Sequence, residues 1–391
     1  MKLRTLTAVA LFGCLAAVGA AQPNAQPAAP DKAPADAWPV FRGTAGLTGV
    51  SGSALPAVEK LEVLWRFKTD QAVTGTAAIA DGVVYIGSQD KNLYALNLAT
   101  GKKRWAYQAD DAFDAPAMVH DGKVYIGSLD GVFHAVDAKT GKKVWSAKTE
   151  DKIMGGANLL PASGPGQADR ILVGSYDFSL YCFDAKSGKK LWTYKTDNYI
   201  NATPAVSDGK AMFGGCDALI HVVDIVKGRA RQQIDAGAYI SNAAAAVGPL
   251  VYVGNYEGEL LCGDTRVGKT RWVYSGDNED PFFSAPAVTA DAIVFGGRDG
   301  DLYCLDVKTG NKKWTFRTRD QVDSSPVIVG DKVIFGSQDG RVYLLELKTG
   351  KKLWQYETAS SIISSPAVAS GVVIIGADDG NVYAFGAKSA E

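Results

Sequence analysis

One heptapeptide recurs along the chain at a spacing of about forty residues, and that period limits the fold more than any other feature. The copies read "ATGKKRW" (99–105), "KTGKKVW" (139–145), "KSGKKLW" (186–192), "RVGKTRW" (266–272), "KTGNKKW" (308–314) and "KTGKKLW" (348–354). Self-similarity at a fixed period of this size marks a solenoid or propeller rather than a set of unrelated domains. Aligning the repeats brings out four short runs in each. The first is of the "SSPAV" type (364–368). The second is "VVYIGS" (83–88), the third is "LYALN" (93–97), and the fourth carries the tryptophan. Val, Ile, Tyr and Phe dominate these runs and turn signals separate them about every ten residues, which is a strand pattern with no helical period.

The second run occurs eight times. The last unit stops after its third run, "NVYAFG" (381–386), and a surplus fourth run, "LEVLWRFKT" (61–69), precedes the first unit. The expected fold is therefore all-β: an eight-bladed β-propeller of four-stranded antiparallel blades, its ring closed by strand 61–69 completing blade eight. Closure removes the free sheet ends that an open solenoid would have to cap with polar repeats. The Thr-Gly pair supplies the turn between third and fourth strands, and Asp137, Asp184, Asp224, Asp264 and Asp306 stand before it to cap its free N–H groups. Trp65, Trp105, Trp145, Trp192, Trp272, Trp314 and Trp354 are then the residues that dock one blade on the next. In blade four Gln232 stands where tryptophan is expected, so that seam should be the weakest.

The organisation of the rest follows. Lys2 and Arg4 precede an apolar run that ends near Ala21, so residues 1–21 read as a secretory signal peptide. A second reading, a lipobox at "LFGC" with Cys14 lipidated, stays open beside it. Residues 22–60 are a Pro/Ala-rich tether and leader, and 61–386 form the propeller. The chain is expected to be exported to the periplasm or cell envelope, touching a membrane only through a lipid anchor. A net charge of −1 gives no electrostatic footprint for nucleic acid. Cys182, Cys262 and Cys304 share a slot filled elsewhere by Ala95, Ala135 and Ala384, so they read as small buried hydrophobes rather than disulfide partners.

The pattern "AxDxxTGKxxW", at 95–105 (with Asn97 for Asp), 135–145, and with Cys for Ala at 182–192 and 304–314, resembles the tryptophan-docking motif of quinoprotein (PQQ-type) propellers. The leader "WPVFRGTAGLTGVSG" (38–52) followed by "LWRFKT" is similar to the start of these proteins. The family includes PQQ-dependent alcohol and glucose dehydrogenases. It also includes a non-enzymatic branch, the lipoprotein of the outer-membrane barrel-assembly machinery, BamB, which is similar in length. The resemblance implies the propeller fold; function has to be argued from the site.

The residues favour the non-catalytic branch. A PQQ enzyme needs a cofactor cavity, a Ca²⁺ site of carboxylate and amide oxygens, and long insertions to build them. Here the blades are close to minimal, the one clear insertion is "LLPASGPGQADR" (159–170), and no catalytic residue maps onto a matching motif. Of the three histidines, His134 and His221 take the tyrosine place of the third strand in non-adjacent blades and His120 stands in a turn, which suggests no metal site. "GDTRVGKT" (263–270) matches a P-loop in letters only, since it is a repeat hairpin running into Trp272 rather than into a helix.

Strand alternation puts the turns between second and third strands on the same face as the interblade linkers. The turn acids are Asp90, Asp130, Asp177, Asp217, Glu257, Asp299, Asp339 and Asp379. The linkers add Asp70, Asp110, Asp111, Glu150, Asp151, Asp197, Asp277, Glu279 and Asp280. The Lys-rich hairpins fall on the opposite face. Among the apolar residues gathered on the acidic face (Phe113, Met154 and Ile363 with them), Tyr199, Tyr239, Phe282 and Phe283 are the candidate contacts for a protein or peptide partner. The expectation is a monomeric, non-catalytic binding or scaffold propeller with no cofactor. A ligand-sensing propeller and a dehydrogenase using PQQ with calcium are the alternatives.

Overall fold

The computed structural model describes residues 29–162, 168–240 and 242–388. The expectations for a signal peptide at 1–21, for Cys14 and for the tether before residue 29 lie outside the described residues. Eight antiparallel sheets of four strands form the ring. Blade one runs Ala78–Ala80, Val83–Gly87, Asn92–Asn97 and Lys103–Gln108 from the channel outward. Burial follows that order. The second strand of blade one is buried at every position, whereas its fourth alternates between exposed and half-buried residues. Blade eight is completed by the N-terminal strand Glu62–Lys68, which pairs antiparallel with Asn381–Gly386.

Two kinds of contact, repeated around the ring, fit the blades together. The first is the tryptophan. The Nε1 groups of Trp65, Trp105, Trp145 and Trp314 donate to the carbonyls of Leu98, Ala138, Ala185 and Leu347 in the following blade, at 2.8, 3.1, 3.2 and 2.9 Å. Each of these rings lies under the turn glycine of that blade. At Gly350, for example, φ is +72° and an added Cβ would stand 2.7 Å from the Trp314 ring, so this turn admits no side chain. Trp192 and Trp272 sit likewise under Gly228 and Gly310. Trp354 has no such hairpin to meet, because blade eight takes its fourth strand from the other end of the chain. Trp354 packs instead on Phe385, with ring centroids 5.4 Å apart. In blade four, Gln232 occupies the tryptophan place against Gly268, and its Oε1 is buried without a partner.

The second contact lies on the other face. A buried residue part-way along each interblade linker is pressed onto a glycine at the end of the second strand of the preceding blade. An added Cβ on Gly254 would stand 2.8 Å from Phe282, and the same relation joins Gly127 to Ile153 and Gly376 to Val73 across the closure. The cysteines of the third strands are buried and free, and burial pushes the thiols of Cys182, Cys262 and Cys304 each up to about 12.

The leader departs from the expectation. From Ala33 onward it is built into the ring rather than standing outside it as a tether. The innermost strands would otherwise turn unpaired N–H groups toward the channel. The leader crosses that channel and accepts their bonds in turn. Ile79, Val119, Val206, Ala246, Val288 and Ile328 hold the same place in six blades. Their amides donate to the carbonyls of Trp38, Pro39, Ala45, Gly46, Thr48 and Gly49 at 2.7 to 2.9 Å. In blade three Asn158 Nδ2 reaches the Ala45 carbonyl at 2.7 Å, and in blade eight Ser51 Oγ donates to the Val368 carbonyl at 3.1 Å. Val50–Ser51 adds a short parallel strand to Val327–Val329 of blade seven. Trp38 and Leu47 are fully buried.

Two outcomes follow. Removing residues 1–53 keeps the closing strand but strips the channel amides of their acceptors. At about 1 kcal/mol per lost hydrogen bond, this lowers stability by several kcal/mol in urea titration. Removing 1–70 also opens blade eight and gives aggregating protein through the bared edge. In the seams, Trp314→Ala costs about 3–5 kcal/mol, whereas Gln232→Trp raises the urea midpoint by filling the defective seam.

Candidate partner-docking face

Each linker carries a buried residue, and in seven of the eight the next residue lines the channel mouth: Thr74, Asp114, Met154, Asn201, Phe283, Asp323 and Ile363. This pairing decides where the apolar candidates go. Phe113 and Phe282 hold the first place and lie in the core, Phe282 being 1% exposed against Phe295 and Tyr303. The expectation that Phe282 contacts a partner is therefore corrected: its ring is the packing residue seated on Gly254. Phe283, one residue on, holds the second place and lines the mouth, as do Met154 and Ile363.

In the turns between second and third strands the residue before the acid is Gln89, Leu129, Tyr176, Cys216, Tyr256, Arg298, Gln338 or Asp378, one in each blade, and Tyr176 and Arg298 of this circle line the mouth. Over blades three to six this surface is aromatic. Tyr199 stacks on Tyr176 at 4.8 Å and meets Phe178 edge-on at 5.1 Å. Tyr239 meets Tyr256 at 6.4 Å, and Tyr256 meets Phe283 at 5.1 Å. The Arg298 guanidinium lies 3.4 Å over the Phe283 ring. It is held there by two bonds to Asp323 at 3.0 and 2.9 Å, and Asp323 also accepts from Gln338 Nε2 at 3.0 Å. Tyr239 is 54% exposed and Tyr199 40%. Large aromatic faces left in water on a braced arginine suit an apolar partner surface with a few polar contacts. Between them lies a cavity of about 380 Å³ whose lining includes the leader's Phe41.

Tyr176, Phe178, Tyr256 and Arg298 were not singled out from the sequence. Their signal was present in "SYDFS", "NYEGE" and "GRDGD": a large side chain just before or just after the turn acid, where most blades carry a small or polar residue. The same circle holds Cys216, whose thiol is raised by burial and then by Asp217.

The turn acids are not a free acidic rim. Asp90, Asp177, Asp339 and Asp379 each accept the hydroxyl of the tyrosine four residues on (Tyr94, Tyr181, Tyr343 and Tyr383) at 2.6 to 2.7 Å, and Asp299 pairs with Tyr303 in the same way. In blade four His221 replaces the tyrosine and bonds Asp217 at 2.8 Å. These carboxylates hold their turns. On this face the exposed acids are the turn's Glu257 and those of the linkers, above all Asp277, Glu279 and Asp280 beside blade six. The Lys102/Lys103, Lys142/Lys143 and Lys351/Lys352 hairpins are exposed on the opposite face.

With this geometry in place, comparison with known proteins gives the family. A model of the family described as outer membrane protein assembly factor BamB matches residues 54–163, 155–237 and 229–391. The chain belongs to the BamB family. The crystal structure of BamB from Moraxella catarrhalis superposes with a TM-score of 0.69 at 22% identity, covering 85% of this chain and 99% of that one. A europium-containing methanol dehydrogenase superposes with a TM-score of 0.73 at 15% identity, covering 90% and 98%. The quinohemoprotein alcohol dehydrogenase of Comamonas testosteroni gives 0.71 at 15%, covering 91% and 81%. At these identities the superpositions speak for the fold alone. No curated protein sequence matches the chain.

The histidines beneath the turns make stability depend on pH. His134 is bonded by Tyr107 and Ser128, each at 3.0 Å, and burial pulls it down to about 4. Burial also lowers His221, and Asp217 opposes that shift. Both therefore stay neutral in the fold where the unfolded chain, with its ordinary value near 6.5, takes up protons. The His134 contribution is complete above about pH 6.5 and is lost as pH falls toward 4, by about 2–3 kcal/mol, and that of His221 has the same sign. His134→Tyr, which installs the residue that most other blades carry there, flattens this part of the urea-midpoint profile.

Proposed function

We propose that this chain is a non-catalytic scaffold of the cell envelope that docks a protein or peptide on the aromatic face of blades three to six. The observation that carries the proposal is the pair of aromatic clusters at the mouth, Tyr199 with Tyr176 and Phe178, and Tyr239 with Tyr256 and Phe283, the second ending on Arg298, whose guanidinium is fixed between Phe283 and Asp323. Rigid aromatic anchors lose little side-chain entropy on binding and dominate interface energies. Membership of a family described by outer membrane protein assembly supports an envelope location and a protein ligand. The linker acids Asp277, Glu279 and Asp280 at the edge favour a partner with a basic flank, and they act on the rate of encounter more than on affinity.

The dehydrogenase alternative asks the mouth to hold a planar polycarboxylate quinone with Ca²⁺. The lining does not suit it. Its one cationic side chain, Arg298, already serves Asp323, and Asp114 accepts from Thr74 at 2.9 Å and Gln89 at 3.1 Å. Among the described residues no three His, Cys, Asp or Glu side chains gather as metal ligands.

A photo-crosslinker placed at Tyr239 is expected to trap a specific partner in envelope extract, and one placed at Lys351 to trap none. Tyr199→Ala with Tyr239→Ala weakens that capture by about 2 kcal/mol or more and leaves the melting midpoint unchanged. Phe282→Ala lowers the midpoint instead, since it vacates a core position. Trapping from Lys351 but not from Tyr239 would place the partner on the opposite face. Dye-linked alcohol oxidation on addition of PQQ and Ca²⁺ would overturn the non-catalytic reading.

A further inference from the structure

Arg42 lies in the stretch of leader that crosses the channel. That stretch is closed on itself by the Gly49 N–H donating to the Arg42 carbonyl at 3.0 Å and the Leu47 N–H to the Thr44 carbonyl at 2.9 Å. The Arg42 side chain is 1% exposed, and its guanidinium presses on Gly49, where an added Cβ would stand 2.0 Å from Nη2 and 2.5 Å from Cζ. Nε, Nη1 and Nη2 all lack a hydrogen-bond partner among the described residues. The leader's own acids, Asp31 and Asp36, are exposed, and Glu391 is the one acid of the chain outside the described residues. Trp38 packs its ring against Gly43, the residue after Arg42, and its buried Nε1 is also without an acceptor. The unpartnered side-chain groups of this plug are thus all donors, and one carries a full charge. Burial brings Arg42 down to about 9, which leaves it protonated at neutral pH.

An isolated buried cation is costly unless something negative meets it. Unpartnered N–H donors suit an acceptor that needs to donate nothing in return. We propose that Arg42 forms a small-anion site inside the channel, taken by a monovalent inorganic anion, chloride in ordinary media. A single guanidinium balances a single negative charge. The close burial of Arg42 against Gly49 favours a small anion over a bulky polyoxyanion. The anion would tie together a loop that already binds the inner strands of blades one to seven.

Two measurements on the full chain test this. At constant ionic strength, replacing gluconate by chloride is expected to raise the melting midpoint by about 2 °C or more, as a ligand specific to the folded state does. Arg42→Met is expected to abolish that response. Crystals of the unaltered chain grown in bromide are expected to show an anomalous peak within hydrogen-bonding distance of the Arg42 guanidinium. This second measurement decides the matter even where the variant fails to fold. No peak at Arg42, or an equal chloride response in Arg42→Met, overturns the proposal.

Discussion

A ring of β-sheets leaves one set of backbone groups with nowhere to go: the amides on the inner edges of its innermost strands. Outer edges can face water, but inner edges meet across a channel too narrow to hydrate them freely and too wide for them to pair with one another. An unpaired buried N–H is expensive, and nearly all such groups in folded proteins find partners. Here a single extended segment supplies the acceptors. Consecutive stretches of leader meet consecutive blades, so that residues 38–51 travel around the axis as the blades do. The spacing of Gly46, Thr48 and Gly49 reflects that requirement, since the chain must turn while presenting one carbonyl after another to amides fixed by the ring.

The two seam contacts divide the outer packing between them. Under the turn glycines, tryptophan fills the basal seam, and at Trp65, Trp105, Trp145 and Trp314 it ends in a hydrogen bond. Above the second strands, an apolar linker residue fills the upper seam. Both depend on a missing side chain in the neighbour, so each repeat carries one residue that intrudes and another that yields. Where the pairing is imperfect, as at Gln232 and Gly268, a buried oxygen is left without a partner. The binding face stands on this scaffold: Phe283 projects into the mouth because Phe282 beside it is locked on Gly254.

Much of the architecture was legible in the sequence because repetition multiplies weak signals. Eight copies of the second strand gave the blade number, and the surplus strand 61–69 gave the closure. The tryptophan places followed from the same alignment. What was not legible came from positions outside the period. The leader occurs once, so no alignment could show that its carbonyls meet the channel amides. Phe282 could have been placed correctly, since Val73, Ile153, Ile200, Ile240, Val322 and Ile362 share its repeat position and all are buried. Two adjacent phenylalanines drew attention to chemistry at a place where register mattered more. The turn acids misled in a similar way. Counting charge ignored the tyrosine four residues on that takes up the carboxylate in five of the blades.

The pairing of Glu62–Lys68 with Asn381–Gly386 also sets an order of events during synthesis. Residues 38–68 hold both the channel segment and the outer strand of the final blade, and both are made before any of the repeats they join. Neither has its full set of partners until the last repeat has been made. Intermediate lengths of chain can assemble blades but cannot close them, and the earliest-made segment must wait beside a growing, open array. Contacts spanning nearly the whole length make folding slow. They also make the finished ring report on the integrity of both ends, because a chain cut short at either terminus cannot lock.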